Sequence, residues 1–359
     1  MATNKNQHYV PKCHLKRFST NPEKTAINVF NIDIKNSIRN ASIRKQCSGD
    51  WFYGKDEKYE NVIQSLESDY TKNIDSLIEK ISLNQSINNE LFDLSKFWVM
   101  QYIRTNAAGK RFSQGFNEIG ADAIRLEIKE AVRVALSQFY HFVAEVSDLD
   151  FCIVSNNTNV PFITSDDPAI ITNRWKFFYD QRSGDTGFGL GSAGLICVIP
   201  LTPKYAMIGY DNEIYNINTK NSVISTKEIS DIDAINHLQF LNCSNNIYFN
   251  DEIDDKHLTE SYSSAAPHRI EKRHILHRFD KNEITSNGVI YRKSETSEES
   301  TNGQLVMISD QHPKPVEWPR FLRWRVTRYY YFNNSGVNKV RKSFAVSNPD
   351  SGFKRIRAR

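Results

Sequence analysis

The sequence has few of the features that mark secreted, membrane-spanning or zinc-binding proteins. Its 359 residues include five cysteines, an odd number, and no C-x-x-C pair, which argues against a disulfide framework and a zinc finger. No stretch approaches the roughly 20 consecutive apolar residues that span a bilayer. The first residues also lack the apolar run of a secretory signal. We therefore expect a cytoplasmic protein that makes no membrane contact.

Two motifs of common enzyme classes are also missing. The glycine-rich segment 183–192 lacks the G-x-x-x-x-G-K-[ST] pattern of phosphate-binding loops, so we interpret it as a flexible loop. No H-E-x-x-H sequence occurs, which excludes the helical zinc site of that metalloprotease class. The chain does have an ordinary folding composition, with 39% hydrophobic and 12% aromatic residues. Its length allows one large domain with an appendage, or two domains.

Charge is separated along the chain. Residues 318–359 contain eleven Lys or Arg and a single acid, Asp350, a net charge of +10; because the whole chain is +4, residues 1–317 carry −6. Aromatic residues alternate with these cations, and nucleic acid needs cations for its phosphates and rings for its bases. The segment therefore predicts nucleic-acid binding, with a soluble basic edge hairpin or a contact with another protein or subunit as alternatives. The predicted nucleic-acid-binding residues are Arg320, Arg323, Arg325, Arg328, Lys339, Arg341, Lys342, Lys354, Arg355, Arg357 and Arg359.

The hydrophobic pattern predicts the fold class. Apolar residues recur at spacings of three and four over 58–81, 89–103 and 113–146, which predicts three long helices. Short β-branched runs follow after residue 148, in a block separate from the helices. We therefore predict an α+β fold in which three long helices pack on a mixed or antiparallel sheet, with a basic β-rich appendage at the C-terminus.

Composition also predicts the domain boundaries. Residues 1–280 form the main domain, and the polar, Ser/Thr/Glu-rich segment 281–317 is a linker or insertion. Residues 318–359 form a basic hairpin and tail. Within that tail the pattern predicts that 321–332 pairs with 337–346 through an Asn/Gly-rich turn, because Asn and Gly tolerate positive φ.

Three short motifs carry a family resemblance. They are H-Y-V-P at 8–11, T-S-D-D-P at 164–168 and P-L-T-P at 200–203, and F-W-V-M-Q-Y-I-R-T at 97–105 accompanies them. Together they resemble the domain of unknown function 4238 family over roughly residues 6–250. Asp167 departs from the pattern, because the family often has Asn there. The resemblance implies bacterial, phage-related or fungal contexts and no agreed activity.

The motifs supply the candidate catalytic residues His8, Arg104 and Asp166. His8 precedes Pro11 and could act as an acid/base or contact a phosphate; the alternative is a hydrogen bond that holds the N-terminal arm. Asp166, at a strand end, could be a base or metal ligand, or could accept backbone N–H groups in an Asx turn. Arg104, on a helix among apolar neighbours, must be paired with Asp166 or Glu67, or else bind a substrate phosphate.

Other polar residues near these motifs could support the site or bind a metal. Glu60 and Glu67 lie seven residues apart on one helix face and, with Asp166, could hold a divalent ion such as Mg²⁺, although a solvated helix face is equally compatible with the spacing. The alternative is that no cofactor is bound. The predicted supporting residues are Tyr9, Gln101, Ser165, Asp167 and Asn236.

Two functions follow from these features. One is a nucleic-acid-directed hydrolase, such as an RNase or nuclease-like toxin of bacterial antiphage defence, with the basic tail as its substrate anchor. The other is a non-catalytic nucleic-acid-binding or assembly protein whose motif residues are structural. Convergence of His8, Arg104 and Asp166 in an open pocket would favour the hydrolase, whereas burial with mutual hydrogen bonding would favour the second function.

Overall fold

A computed structural model describes residues 5–55, 57–117, 125–179, 186–285, 288–294, 304–333 and 339–358. Within these ranges the chain forms ten α-helices and eighteen β-strands. The helices are α1 Lys12–Leu15, α2 Glu57–Ser82, α3 Asn88–Arg104, α4 Asn106–Asn117, α5 Ile128–Ser137, α6 Phe139–Glu145, α7 Arg174–Tyr179, α8 Ile229–Asn242, α9 Asp255–Ala265 and α10 Lys342–Ser347. The strands are β1 Asn6–His8, β2 Ala26–Asn31, β3 Asn36–Ser42, β4 Ser48–Asp50, β5 Asp150–Asn156, β6 Thr164–Ser165, β7 Ile170–Thr172, β8 Ile196–Pro200, β9 Tyr205–Tyr210, β10 Tyr215–Asn216, β11 Val223–Thr226, β12 Asn246–Phe249, β13 His274–Thr285, β14 Gly288–Lys293, β15 Gln304–Asp310, β16 Arg323–Trp324, β17 Arg328–Phe332 and β18 Lys354–Ala358.

A five-stranded sheet lies at the centre of the molecule, in the order β11-β5-β9-β8-β7. The β11–β5 pair is parallel and the other pairs are antiparallel. Because side chains alternate along a strand, Cys197 and Ile199 pack towards α2 and α3, while Ile196 and Val198 pack towards α8 and α9. The sheet is therefore buried on both faces. A mixture of helices and sheets is what the sequence predicted.

Two of the three predicted long helices are present. α2 and α3 pack side by side, with the rings of Tyr70 and Phe97 stacked at 3.5 Å between centroids. The indole N–H of Trp98 donates to the carbonyl of Val198 (3.1 Å), which fixes α3 on the central sheet. α3 is therefore buried between α2 and the central sheet.

The third predicted helix, over 113–146, is wrong as a continuous element. α4 starts earlier, at Asn106, and the later part is divided into α5 and α6. The side chains of Glu127 and Glu130 form a capping box that starts α5 anew. Gln138 then leaves the helical conformation, with φ −97° and ψ 12°, between α5 and α6. Residues 118–124 lie outside the described residues.

A second sheet joins the N-terminal segment to the centre of the chain. It is antiparallel, in the order β3-β2-β12-β6. Strand β6 holds Thr164 and Ser165 of the second motif, and the loop from α8 to β12 passes beside it. His14 of α1, three residues after the first motif, bonds to Thr164 on this sheet, although 150 residues separate the two in the sequence.

The segment predicted as a linker or insertion contains strands. β13, β14 and β15 form a three-stranded antiparallel sheet in the order β14-β13-β15. Strand β13 starts at His274, ahead of the predicted boundary at 280. Phe321 and Leu322 then enter the main hydrophobic core, and β16 pairs with β10. The tail is therefore packed against the main domain; the domain boundaries themselves stay a prediction.

The predicted pairing of the C-terminal hairpin is confirmed at one position only, where Tyr331 and Val340 form an isolated antiparallel bridge. The main partner strand was predicted wrongly, because β17 pairs antiparallel with β18, which lies beyond the predicted segment 337–346. Residues 342–347 form α10 instead, and Phe344 packs against Gly191, where an added Cβ would approach its ring to 2.5 Å. The predicted turn lies largely outside the described residues. Among the described residues no helix is long and apolar enough to cross a membrane.

Candidate functional site

Arg104, at the end of α3, is fully buried and bound to the first motif. Its Nε donates to the carbonyl of Tyr9 (2.9 Å) and its Nη2 to the carbonyl of His8 (3.0 Å). The same Nη2 forms an ion pair with Glu67 of α2 (2.8 Å). The guanidinium thus neutralises one carboxylate and donates to two backbone carbonyls. Of the two predicted partners, Asp166 and Glu67, it pairs with Glu67. It has no exposed surface for a substrate phosphate, so the predicted catalytic role does not fit.

His8 is half-buried on β1 and lies beside Arg104 through its backbone alone. Burial, with the charge of Lys12, lowers the pKa of His8 to about 4, so the ring is neutral at pH 7. Its Nε2 is buried and has no hydrogen-bond partner among the described residues. The imidazole is therefore neutral and could accept a proton. Among the described residues, however, no acidic or nucleophilic side chain is hydrogen-bonded to it.

Asp166 is buried and bound to backbone N–H groups. Its Oδ1 accepts from Ser244 (2.8 Å), and its Oδ2 accepts from Asn245 (2.9 Å) and Asn246 (3.0 Å). Burial raises the pKa of Asp166 to about 6, and these three N–H groups oppose that rise because they favour the carboxylate. This arrangement fixes the loop between α8 and β12 beside β6. Asp166 thus accepts backbone N–H groups, as the structural alternative stated, but these belong to a distant loop and do not form an Asx turn.

The neighbouring Asp167 joins three elements. Its carboxylate accepts from the hydroxyl of Thr105 (2.5 Å) and the amide of Asn242 (2.8 Å), and it forms an ion pair with Arg111. Thr105 lies between α3 and α4, Arg111 is on α4, and Asn242 ends α8. Because Asp167 is fully buried, its charge is stabilised by these partners and is not presented to a ligand.

The other supporting residues also have structural partners, with one exception. Ser165 donates to Gln239 (2.7 Å), and Asn236 binds the backbone of Pro161 and Ile163 at 3.0 and 3.1 Å. Gln101 is the exception: it is fully buried, and both atoms of its amide lack a partner among the described residues. The second motif is therefore held by α8 through side-chain hydrogen bonds of Gln239 and Asn242.

His14, three residues after the first motif, is the residue that sequence reasoning missed. It is fully buried, with Nδ1 2.9 Å from the hydroxyl of Tyr70 and Nε2 2.9 Å from the hydroxyl of Thr164. Burial lowers the pKa of His14 to about 3, so the ring is neutral. It packs against Phe18, four residues on, and that spacing on an apolar face was the available signal. His14 connects the first motif to the second.

The predicted metal ligands are not assembled. Glu67 is bound to Arg104, and Asp166 is bound to the backbone of 244–246. Glu60 accepts a hydrogen bond from Gln64 (3.2 Å) on its own helix. Among the described residues no group of three or more His, Cys, Asp or Glu side chains is placed to hold a metal ion.

The C-terminal cations differ in their accessibility. Arg341 is buried (3% exposed) and pairs with Asp148 (3.3 Å), so it cannot contact nucleic acid and is a correction to the predicted set. Arg320 pairs with Glu228 at the surface, and Arg328 lies over the rings of Tyr179 and Trp324. Arg359 lies outside the described residues. The exposed cations are Arg320, Arg323, Arg325, Lys342, Lys354, Arg355 and Arg357, while Arg328 and Lys339 are half-buried.

The β17–β18 hairpin has an outward face of tyrosine and arginine. Tyr329 pairs in register with Arg357 and Tyr331 with Arg355, and paired residues of antiparallel strands share a face. The opposite face packs inward, since Tyr330 lies 5.3 Å from the ring of Trp175. On the outward face the guanidinium of Arg355 stacks 3.9 Å above the ring of Tyr329. These four residues, Tyr329, Tyr331, Arg355 and Arg357, are called the hairpin face below.

Comparison with known proteins gives a family and no closer relative. No curated protein and no solved structure gives a significant match to the chain. A family model described as protein of unknown function (DUF4238) matches residues 6–252. That segment contains all three motifs, the Arg104 and His14 contacts between them, and both large sheets except for their connections to the tail. Because the match covers well over half of the sequence, the chain belongs to the DUF4238 family.

Proposed function

We propose that the protein binds nucleic acid through the hairpin face, and that its family motifs are structural. The observation that carries this proposal is the alternation of Tyr329, Tyr331, Arg355 and Arg357 on one outward face. Stacking of a base on an aromatic ring contributes about 1–3 kcal/mol, and it tolerates any sequence because every base has a π face. Arg357 supplies charge for the phosphates that connect successive bases, since Arg355 is paired with Glu213.

Further cations extend this surface. Arg323 and Arg325 are exposed just before β17, and Lys354 begins β18. Arg355 is held by Glu213 (3.0 Å), which orients its guanidinium over Tyr329 while leaving the other cations of the surface to bind phosphate. An acidic partner protein would be attracted by the same positive charge, but its carboxylates would bind without contacting the rings of Tyr329 and Tyr331. The rings therefore favour nucleic acid over an acidic protein.

The structural role of the motifs is supported by their hydrogen bonds. Arg104 and Asp166 are buried and bonded to backbone groups. Among the described residues, the side chain of His8 has no hydrogen bond to the carboxylate of Glu67 or of Asp166. Cleavage by an RNase or nuclease, with or without Mg²⁺, stays as the alternative proposal and is decided by the same experiment. Under this alternative proposal, the protein would act in the cytoplasm as part of antiphage defence.

We expect binding of single-stranded RNA or DNA of about 20 nucleotides to weaken roughly tenfold in Arg357→Glu and at least fivefold in Tyr331→Ala. Fluorescence anisotropy with labelled strands at two salt concentrations measures both effects, and the affinity of the wild type should fall as salt rises. Lys256→Glu, at an exposed lysine on α9, is the matched control and should bind as the wild type does. Unchanged affinity in both hairpin variants would refute the proposal.

The same samples test cleavage. Labelled strands are incubated with Mg²⁺, with Mn²⁺ and with EDTA, and their lengths are read on a gel. Cleavage that is lost in His8→Ala and Asp166→Asn, in proteins that still melt cooperatively, would establish the hydrolase. Intact strands together with salt-dependent binding would support the binding protein.

A further inference from the structure

A cavity of about 560 Å³ lies beside the first motif, away from the hairpin face. It is bordered by β4, by the start of α4 and by the first turns of α5, and its lining includes Tyr9, Phe52, Asn106, Lys129 and Arg133. Cavities of about 300–1,000 Å³ are the size of small-molecule sites. None of the residues that were predicted to be catalytic lines it. The first motif enters it through Tyr9.

One side of the cavity is an aromatic pair that is held in place before any ligand binds. The rings of Tyr9 and Phe52 lie 5.2 Å apart between centroids, and Phe52 is braced edge-on by Tyr53 at 5.1 Å. The backbone of Tyr9 is fixed at both ends, since its N–H donates to Cys47 (2.8 Å) and its carbonyl accepts from Arg104 (2.9 Å). Because Phe52 is only 4% exposed, a planar ligand would stack on Tyr9, whose position is already fixed by the fold.

The other side carries two cations and two carboxylates from α5. Lys129 is anchored by one donor to the carbonyl of Asp50 (2.8 Å), which leaves further N–H groups on the same ammonium. Arg133 and Glu130 are half-exposed and loosely paired at 3.8 Å, so the guanidinium keeps most of its donors for other partners. Glu127 completes this side. Asn106, at the start of α4, adds an amide that both donates and accepts.

We propose that this cavity binds a nucleoside monophosphate. The base stacks on Tyr9 and its edge is met by the amide of Asn106, which offers both a donor and an acceptor. The phosphate is bound by Lys129 and Arg133, and the ribose hydroxyls donate to the carboxylates of α5. A purely apolar ligand would leave the four charged residues without a contact, and a free inorganic anion would leave the aromatic side of the cavity without one. This site is separate from the hairpin face and does not depend on strand binding.

Isothermal titration of the full-length protein with AMP, GMP, CMP and UMP tests the site, with adenosine and inorganic phosphate as partial ligands. At least one nucleotide should bind, its nucleoside should bind more weakly, and phosphate alone should give no measurable heat. We expect Arg133→Ala to weaken nucleotide binding about tenfold without changing nucleoside binding, because the lost contact is to the phosphate. Tyr9→Leu keeps apolar packing but removes stacking, and should weaken both about fivefold or more.

The controls separate this site from the hairpin. Arg357→Glu should retain wild-type nucleotide affinity, and Arg133→Ala should retain wild-type binding of single strands. Thermal melting confirms that each variant is folded before its titration is interpreted. The proposal is overturned if no nucleotide binds at millimolar concentration, or if binding is the same in Arg133→Ala and Tyr9→Leu as in the wild type.

Discussion

Replacing Arg104 by alanine is expected to lower the free energy of unfolding by about 3–5 kcal/mol, the cost of removing one partner from a buried ion pair. Arg104 is fully buried, and the carbonyls of His8 and Tyr9 as well as the carboxylate of Glu67 lose their donor together. A buried carbonyl without a partner is costly because water cannot replace the lost hydrogen bond. The variant should also bind nucleotide less well, since its Tyr9 backbone is released.

Urea unfolding followed by circular dichroism measures the change. Lys96→Ala is the matched control on the same helix, because Lys96 pairs with Asp93 (2.9 Å) in a partly exposed i, i+3 pair that contributes about 1 kcal/mol or less. Arg104→Lys should recover only part of the lost stability, since an ammonium cannot reproduce the planar guanidinium geometry. A loss below about 1 kcal/mol in Arg104→Ala would show that the hydrogen bonds described here do not hold the first motif.

The first two family motifs have a common structural meaning. Arg104 binds the backbone of the first motif, His14 follows that motif by three residues and bonds to Thr164 of the second, and Asp166 binds the loop before β12. These contacts connect α3, the N-terminal segment and the second sheet, which lie far apart in the sequence. A set of motifs that recurs together therefore need not mark an active site, because it can equally mark the polar contacts through which distant segments meet.

Those parts of the fold that depend on local patterns were predictable. The apolar spacing of α2 and α3 follows directly from burial, and the charge of the tail is visible in composition alone. The third helix was predicted wrongly because α5 buries one face and Phe139, Phe142 and Val143 of α6 pack half-buried against the same core, so the apolar period continues through the break at Gln138. The capping of α5 by Glu127 is also weak as a sequence signal, since Ser, Thr, Asp and Asn are the preferred N-caps.

The long-range pairings were not predictable, for a physical reason. An Asn/Gly turn is a local sequence signal that predicts a hairpin. The pairing of β17 with β18, about twenty residues further along the chain, has no corresponding local signal in the sequence. The partners of Arg104 and Asp166 are backbone carbonyls and N–H groups, which nearly every residue possesses. A sequence can show that a buried guanidinium needs acceptors. It cannot show which backbone carbonyls lie next to it.

His14 is expected to make the protein lose stability in acid. Burial, with smaller effects from Arg17 and Arg104, lowers the pKa of His14 from 6.5 to about 3 in the folded state. The unfolded chain therefore takes up a proton on this ring near pH 6.5, while the folded protein does so only near pH 3. The stability that depends on neutral His14 is complete above pH 6.5 and is lost progressively as the pH falls towards 3.

The expected loss from this residue between pH 7.5 and pH 5 is about 2 kcal/mol, because the unfolded state becomes mostly protonated over that interval and the folded state does not. Other groups act in the opposite direction. Burial raises the pKa of Asp166 and of Asp211 to about 6, so their contribution to stability is lost as the pH rises through 6. The total pH dependence therefore mixes several groups, and a variant is needed to isolate His14.

Comparison of the wild type with His14→Gln isolates it. Glutamine can keep hydrogen bonds to Tyr70 and Thr164 but does not titrate, so the variant's unfolding free energy should fall about 2 kcal/mol less than the wild type's between pH 7.5 and pH 5. His141→Gln, at a histidine that is 67% exposed, is the matched control for the replacement of a histidine by glutamine. The result that counts is the change with pH, because any loss of packing in the variant is present equally at both pH values. Parallel curves for wild type and His14→Gln would mean that His14 is protonated as readily in the fold as in the unfolded chain, and the buried Tyr70–His14–Thr164 connection would then be wrong.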